Sequence, residues 1–369
     1  MSFWSDDYAA AARRFGEAVA RLEARGVIVT TNRLTIEPTG PDGGALAIDI
    51  AKLGRQDAPQ CLVHSSGLHG VEGFAGSAIQ LAILDEIDEI PDDVSLVFVH
   101  TLNPYGMAWL RRVNESNVDL NRNMLRPGEA YSGEVEGYDA LSPLINDETP
   151  PSKRRDGLLW RLLWHVWRHG FAATKQAFAG GQYERPRGLQ FGGHRLEQGL
   201  ALLLGWLETN MTAVRECVWI DVHTGLGRRG EDALLVDHPT ESTTFSELLA
   251  RYGERVTSLA PNDGVAYEIR GGVQAGVQAR FPSIAWTSIA QEFGTVGPFT
   301  VVSALRAENR WTQWGSHQGA DVLSHWSRQD LKGAFFLEDE AWKQTLLRRG
   351  RALYEDALAD LTTRRPGTT

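Results

Sequence analysis

The chain has 369 residues, of which 42% are hydrophobic and 23% charged, an ordinary balance for a soluble globular protein. Its net charge of -10 argues against nucleic acid as the main partner and gives no reason to expect a membrane partner. The acidic start MSFWSDD is not a secretory signal, no apolar run is long enough to span a bilayer, and the two cysteines each open an apolar run, so a cytoplasmic protein with reduced core thiols at Cys61 and Cys217 is expected.

Residues 4–25 carry Ala10, Phe15, Val19 and Leu22 at helical spacing. Two strand-like runs follow, near Val27–Ile36 and over Ala45–Leu53, with a PTGPDGG turn between them. Cys61–Val63 then runs into Ser65, Ser66 and Gly67, followed by His69 and Glu72 in the order His-x-x-Glu, and Gly73–Leu84 reads as a helix. A strand ending in a His- and Glu-bearing loop before a helix is where an α/β protein places chemistry. Alone, the pair is weak, since His-x-x-Glu in an exposed loop is common. Val94–His100 is a continuous apolar run, read as a buried strand. It leads into a long irregular segment, TLNPYGMAWLRRVNESNVDLNRNMLRPGE, of the kind that usually carries function.

Residues about 125–215 read as an insert. Its first part is acidic and turn-rich; Arg155–Phe178 reads as one helix with Leu159, Leu162, Leu163, Val166 and Trp167 inward. His165 and His169 stand four apart on it but lack a nearby acid at ligand spacing, so they read as a helix-surface pair. The loop at 185–195, RPRGLQFGGHR, either covers a site or simply connects helices, and Leu196–Val214 reads as the next helix. Beyond the insert, the runs Cys217–Val222, Ala233–Val236 and Ala285–Ala290 read as strands. Thr240–Tyr252, Pro298–Trp314 and Glu340–Leu361 read as helices. Alternating strands and helices predict an α/β fold: a mostly parallel mixed sheet flanked by helices on both faces, in a single domain over 1–369.

Four apolar runs end in polar residues: His69 with Glu72, Asn103, His223, and Glu292. In an open parallel sheet such edges line one crevice, so two histidines and two glutamates are brought to one rim. Two His and one Glu suffice for an open zinc site with a fourth position for water, and the remaining glutamate is a candidate proton acceptor. Each residue has a bland reading as well: a satisfied core histidine, a strand-end acid, half of a salt bridge.

The order His69-x-x-Glu72, Arg112-x-Asn114, Val118-Asp119-Leu120-Asn121-Arg122-Asn123, His223 and Glu292 resembles the zinc carboxypeptidase (M14-like) family. The wording GLHGVEGFAGS, NPYGM, DVHTGLG and QEFGT is similar to a bacterial branch of it labelled DUF2817. The resemblance covers about residues 55–125 and 215–315 and leaves out the insert. It implies a carboxypeptidase-like fold and one zinc ion held by His69, Glu72 and His223. It implies Asp119 as the carboxylate on a ligand histidine, and Asn121 with Arg122 as the grip on a substrate carboxylate. Arg112, with Arg111 as fallback, would be the oxyanion donor, and Glu292 the general base. Tyr267 matches only loosely the family's substrate-contacting tyrosine and reads equally as a core tyrosine. Asp221, two residues before His223, is either a partner of the site or a polar edge residue.

Three functions follow from these residues. One is a zinc-dependent hydrolase cleaving a peptide bond next to a free carboxylate. Another is a deacylase releasing an amino acid from an N-acyl compound or small amide with the same site. The third, from a different class, is a metal-free binding module on a hydrolase frame. The expected partner is a small peptide or an N-acyl amino acid.

Overall fold

The computed structural model describes residues 2–153, 157–259, 269–315 and 322–363. Eight strands form one mixed sheet: β1 (Val29–Thr39), β2 (Ala45–Leu53), β3 (Gln60–Ser66), β4 (Val94–His100), β5 (Glu216–Arg229), β6 (Asp232–Val236), β7 (Val256–Ser258) and β8 (Ala285–Gly294). Their order is β1-β2-β4-β3-β5-β8-β6-β7. The pairs β3/β4, β3/β5, β5/β8 and β6/β7 are parallel, and β1/β2, β2/β4 and β6/β8 antiparallel. From β3 the chain moves to β4 on one side and later to β5 on the other. The strand order therefore reverses between β3 and β5, and in open α/β sheets ligands bind beyond the carboxyl ends of the strands at such a point.

Twelve α-helices lie among the described residues. In chain order they are α1 (Tyr8–Ala24), α2 (Gly73–Glu86), α3 (Pro104–Ala108), α4 (Tyr138–Ile145), α5 (Leu158–His169) and α6 (Phe171–Ala179), then α7 (Gln198–Asn210), α8 (Thr243–Tyr252), α9 (Val273–Gln278), α10 (Pro298–Trp314), α11 (Trp326–Phe335) and α12 (Glu340–Thr363). Strand alternation splits the core between the two faces of the sheet. Leu62, Leu96, Phe98, Val218 and Ile220 pack with α1, α2 and α12. Cys61, Val63, Val97, Cys217 and Trp219 pack with α7 and α9. Helices on both faces are thus what the strand–helix alternation predicts. Helix α2 is buried from Gly73 to Leu84, consistent with its near-continuous apolar sequence. Cys61 and Cys217 are free, buried thiols facing each other in register.

Besides adding α3, α4, α9, α11 and β7, which the sequence reading did not place, the structure departs from that reading in three places. The helix expected over Arg155–Phe178 is two helices, because Gly170, with a φ of 86°, breaks it. Its packing is also different: Leu159, Leu163 and Trp167, expected inward, are exposed, and the buried positions are Leu158 and His165, so His165 of the expected helix-surface histidine pair faces inward. Finally, β5 and β8 continue past the apolar runs, so His223 and Glu292 lie inside strands rather than beyond their ends. The continuation is held by pairing between these two strands through Gly225 and Gly294.

Candidate metal centre

The His69 loop is shaped by glycine. Gly67 has a φ of 65°, and a Cβ there would lie 1.7 Å from Thr101 Oγ1, so no other residue fits without rearrangement. The loop is also tied by its backbone to the loop carrying the arginines: Gly70 N donates to Arg112 O (3.1 Å) and Val71 N to Arg111 O (3.0 Å). Asn103, one of the five expected rim residues, serves this loop structurally. Its Oδ1 caps α3 by accepting from Gly106 N (2.8 Å), and its Nδ2 donates to Arg112 O (3.2 Å).

His69, Glu72 and His223 come together, all buried, with one ligand atom from each within 4.8 Å of the others. Nδ1 of His223 lies 3.1 Å from Oε2 of Glu72. Nδ1 of His69 lies 2.9 Å from Oε1 of Glu72, but out of line for a hydrogen bond, so this buried nitrogen has no hydrogen-bond partner. Ligands sharing one zinc at bond lengths of about 2.0–2.1 Å stand about 3–3.5 Å apart in a tetrahedron, close to both separations.

Each ring is backed by a carboxylate on its far nitrogen. Asp221 Oδ2 lies 2.8 Å from His223 Nε2 and Asp119 Oδ1 3.2 Å from His69 Nε2. Asp221 is in turn fixed by Ser65, whose Oγ donates to Oδ1 at 2.6 Å while accepting from Trp219 Nε1 at 2.7 Å. With the proton on Nε2, held by these carboxylates, each Nδ1 presents a lone pair to the Glu72 carboxylate. Two acceptors then face each other, a place suited to a cation; a second proton on His223 fills the same place by donating from Nδ1 to Glu72 Oε2. The charges agree: Glu72, Asp119, Asp221 and Glu292 are all buried, with the Arg112 guanidinium among them. A dication fits this donor set.

The proton equilibria have the same origin. Burial opposes charge on His223, but the charge of Asp221 and its hydrogen bond, with Glu72 adding, hold the imidazole well above its usual range. Burial would raise Glu72, yet the charge of His69 and the hydrogen bond and charge of His223 outweigh it and bring the carboxyl below the usual range. Asp119 is likewise lowered against burial, by Arg112 first and then His69. Glu292 goes the other way: burial, and then the charge of Glu72, push it up to about 7. Glu292 is the register partner of His223 on the parallel neighbour, and its Oε1 accepts from Leu226 N at 2.8 Å.

The two arginines part company. Arg111 is buried and committed to Glu308 (2.9 Å) and Asn117 Oδ1 (2.7 Å), away from the ligands. Arg112 reaches them: Nη1 donates to Glu72 Oε1 (3.0 Å), and Nη2 lies 2.8 Å from His69 Nε2 and 3.3 Å from Asp119 Oδ2. His69 Nε2 either accepts from Arg112 or donates to Asp119, but not both.

Asp119 opens the turn Leu120–Arg122 by accepting from Asn121 N at 2.9 Å. Asn121 Oδ1 accepts from Val273 N (3.2 Å). Arg122, expected to grip a substrate carboxylate, is buried with its donors on backbone carbonyls. Nη1 donates to Asn121 O (2.8 Å), and Nε (2.9 Å) and Nη2 both donate to Ala179 O, at the end of α6. The 185–195 loop, read as either a cover or a connection, packs on this segment: Phe191 O accepts from Asp119 N (2.8 Å) and Gly192 O from Asn123 Nδ2 (2.8 Å). Leu189 and Gln190 of the same loop line a small cleft beside Arg112, and the buried Gln190 Oε1 has no hydrogen-bond partner. Tyr267 lies outside the described residues. Sequence reasoning left Asp221 undecided and overlooked Ser65 and Gln190; the alternation that puts Asp221 on the His223 side of the strand was the available signal.

Three comparisons with known proteins bear on the chain. Among solved structures it is similar to bovine thrombin-activatable fibrinolysis inhibitor, solved with tick carboxypeptidase inhibitor, at 11% identity, 94% of this chain, 98% of that one and a TM-score of 0.48. It is similar to carboxypeptidase A from Helicoverpa armigera at 13% identity, 92% of this chain, 73% of that one and a TM-score of 0.45. A murein-tripeptide amidase from Escherichia coli O157 matches at 14% identity, 78% and 93% coverage and a TM-score of 0.35. No curated protein matches the chain. The family described as "Protein of unknown function (DUF2817)" matches residues 3–349, and the chain belongs to that family.

Proposed function

We propose that the chain is a single-domain zinc-dependent hydrolase that cleaves a peptide or amide bond next to a free carboxylate. The observation that carries this reading is the pair of imidazole Nδ1 atoms turned onto Glu72, each ring backed by an aspartate. His69, Glu72 and His223 would hold the ion. Zinc supplies Lewis acidity and lowers the pKa of water it binds to about 7.

The remaining chemistry belongs to the chain. With Oε1 of Glu292 held by the Leu226 amide, Oε2 takes the proton from the attacking water and passes it to the leaving nitrogen. In the tautomer with the proton on Nε2, His69 donates to Asp119. That tautomer releases Arg112 from the ring and makes its guanidinium available to the developing oxyanion. Asn121 and Arg122 are the carboxylate anchor in this reading, which requires the Arg122 guanidinium to exchange the Ala179 and Asn121 carbonyls for the substrate carboxylate.

A second reading, release of an amino acid from a small N-acyl compound, is favoured by one observation. The insert reaches Arg122 itself through the Ala179 carbonyl, which suits a substrate too short to need an open groove.

Zinc-loaded protein should hydrolyse members of a panel of short peptides and N-acyl amino acids with free carboxylates. Glu292→Gln should keep zinc and lose turnover by about 10²–10⁴. An undiminished Glu292→Gln enzyme would remove the assigned base. Equal rates on substrates with blocked carboxylates would remove the anchor.

A further inference from the structure

Helix α5 presents opposite faces to opposite environments. Leu158 and His165 are buried, and Leu162 and Val166 half-buried. On the other side Trp160, Trp164 and Trp167 are 74%, 58% and 80% exposed, with Leu163 between them at 50%. Positions 160, 163, 164 and 167 follow helical spacing and form one stripe. Phe171, just past the Gly170 break, is 71% exposed. Large apolar side chains exposed together on one face mark an interaction surface.

The charge around the stripe identifies what docks. Helix α5 carries Arg161 and Arg168 and no acid, in a chain whose net charge is -10. By helical angle, Arg161 and Arg168 fall on the flank between the exposed stripe and the buried side. The Arg168 guanidinium lies 5.9 Å from the Trp164 ring. Tryptophans with an apolar body and a polar N–H, flanked by arginines, match the boundary between lipid headgroups and acyl chains. A second copy of the chain fits less well. Helix α5 carries no acid, so a two-fold contact along the stripe would set its arginines against their own copies.

We propose that α5 is an interfacial anchor that seats the protein on an anionic phospholipid surface, lying in the plane of the headgroups without crossing. The acidity of the whole chain speaks against a membrane partner; the uneven distribution of charge reverses that expectation for this one face.

The test is sedimentation of the full-length protein with phosphatidylcholine vesicles, with and without phosphatidylglycerol. The protein should partition onto the phosphatidylglycerol vesicles and be released by salt. Joint replacement Trp160→Ser, Trp164→Ser and Trp167→Ser should weaken partitioning on the order of 100-fold with the circular dichroism spectrum unchanged. Arg161→Gln with Arg168→Gln should weaken it on the order of 10-fold. Absence of partitioning at low salt, or equal partitioning of the tryptophan variant, would overturn the proposal. So would a wild-type protein that ignores vesicles and self-associates through the stripe in light scattering.

Discussion

Around the carboxyl end of β3 and the middle of β5, four carboxylates and two histidines are buried together beside the half-buried Arg112 guanidinium; on the outer side of α5, three tryptophans face water. Each arrangement inverts the usual distribution of side chains and is costly for a chain alone. The body of the protein meets that cost with aspartates on each imidazole and with the proposed dication. The insert meets it, on our reading, with a lipid surface. What the contrast teaches is that the two regions answer to different partners. Perturbing one should leave the signature of the other intact.

The largest expected effect lies in the body and concerns acid. His64 and His100 are buried, and burial is the first cause that lowers each from the usual 6.5 to about 4. His64 has no hydrogen-bond partner for either ring nitrogen and stacks near Phe98; His100 has Ser77 on Nε2 and stacks on Phe15. Below pH 6.5 the unfolded chain takes up these protons while the folded chain does not. Their stabilising effect is therefore fully present above about pH 6.5 and is lost as pH falls toward 4. The loss is about 1.4 kcal/mol per pH unit for each histidine, on the order of 5 kcal/mol in total. Glu292 and Asp49, raised to about 7 and about 6 chiefly by burial, take up protons in the folded chain over the same range and offset this loss, so the difference between variants is the readout. Between pH 7 and 4.5 the urea stability of His64→Leu should gain about 2.5 kcal/mol relative to the wild type. An unchanged difference across that range would show that His64 is not buried neutral.

A smaller effect sharpens the comparison at the metal centre. Asp221→Asn keeps the shape but removes the charge behind His223 and its hold on the proton at Nε2. Zinc affinity should drop about 10–100-fold, measured by chelator competition. Vesicle binding should stay as in the wild type. An unchanged affinity would return Asp221 to the status of a polar edge residue.

Much of this was legible in the sequence, for local reasons. Ala45–Leu53, Val94–His100 and Pro298–Trp314 were readable at their observed bounds because apolar continuity and an N-terminal proline are strong signals. The metal group was readable because its members sit in compact motifs. Three things were not. The direction of Arg122 depends on the Ala179 carbonyl, which comes from a distant helix. The different commitments of Arg111 and Arg112 depend on Glu308, far along the chain. The buried face of α5 was hidden because LLWRLLWHVWRH is apolar on nearly every side, so periodicity cannot say which side packs.

The central claim is that His69, Glu72 and His223 hold one divalent ion together, and zinc analysis of purified protein tests it most directly. The wild type should carry about one zinc per chain, and Glu72→Gln and His223→Ala should each lose most of it while remaining folded. Full zinc occupancy in His223→Ala, or a zinc-loaded wild type that retains none after dialysis, would contradict it.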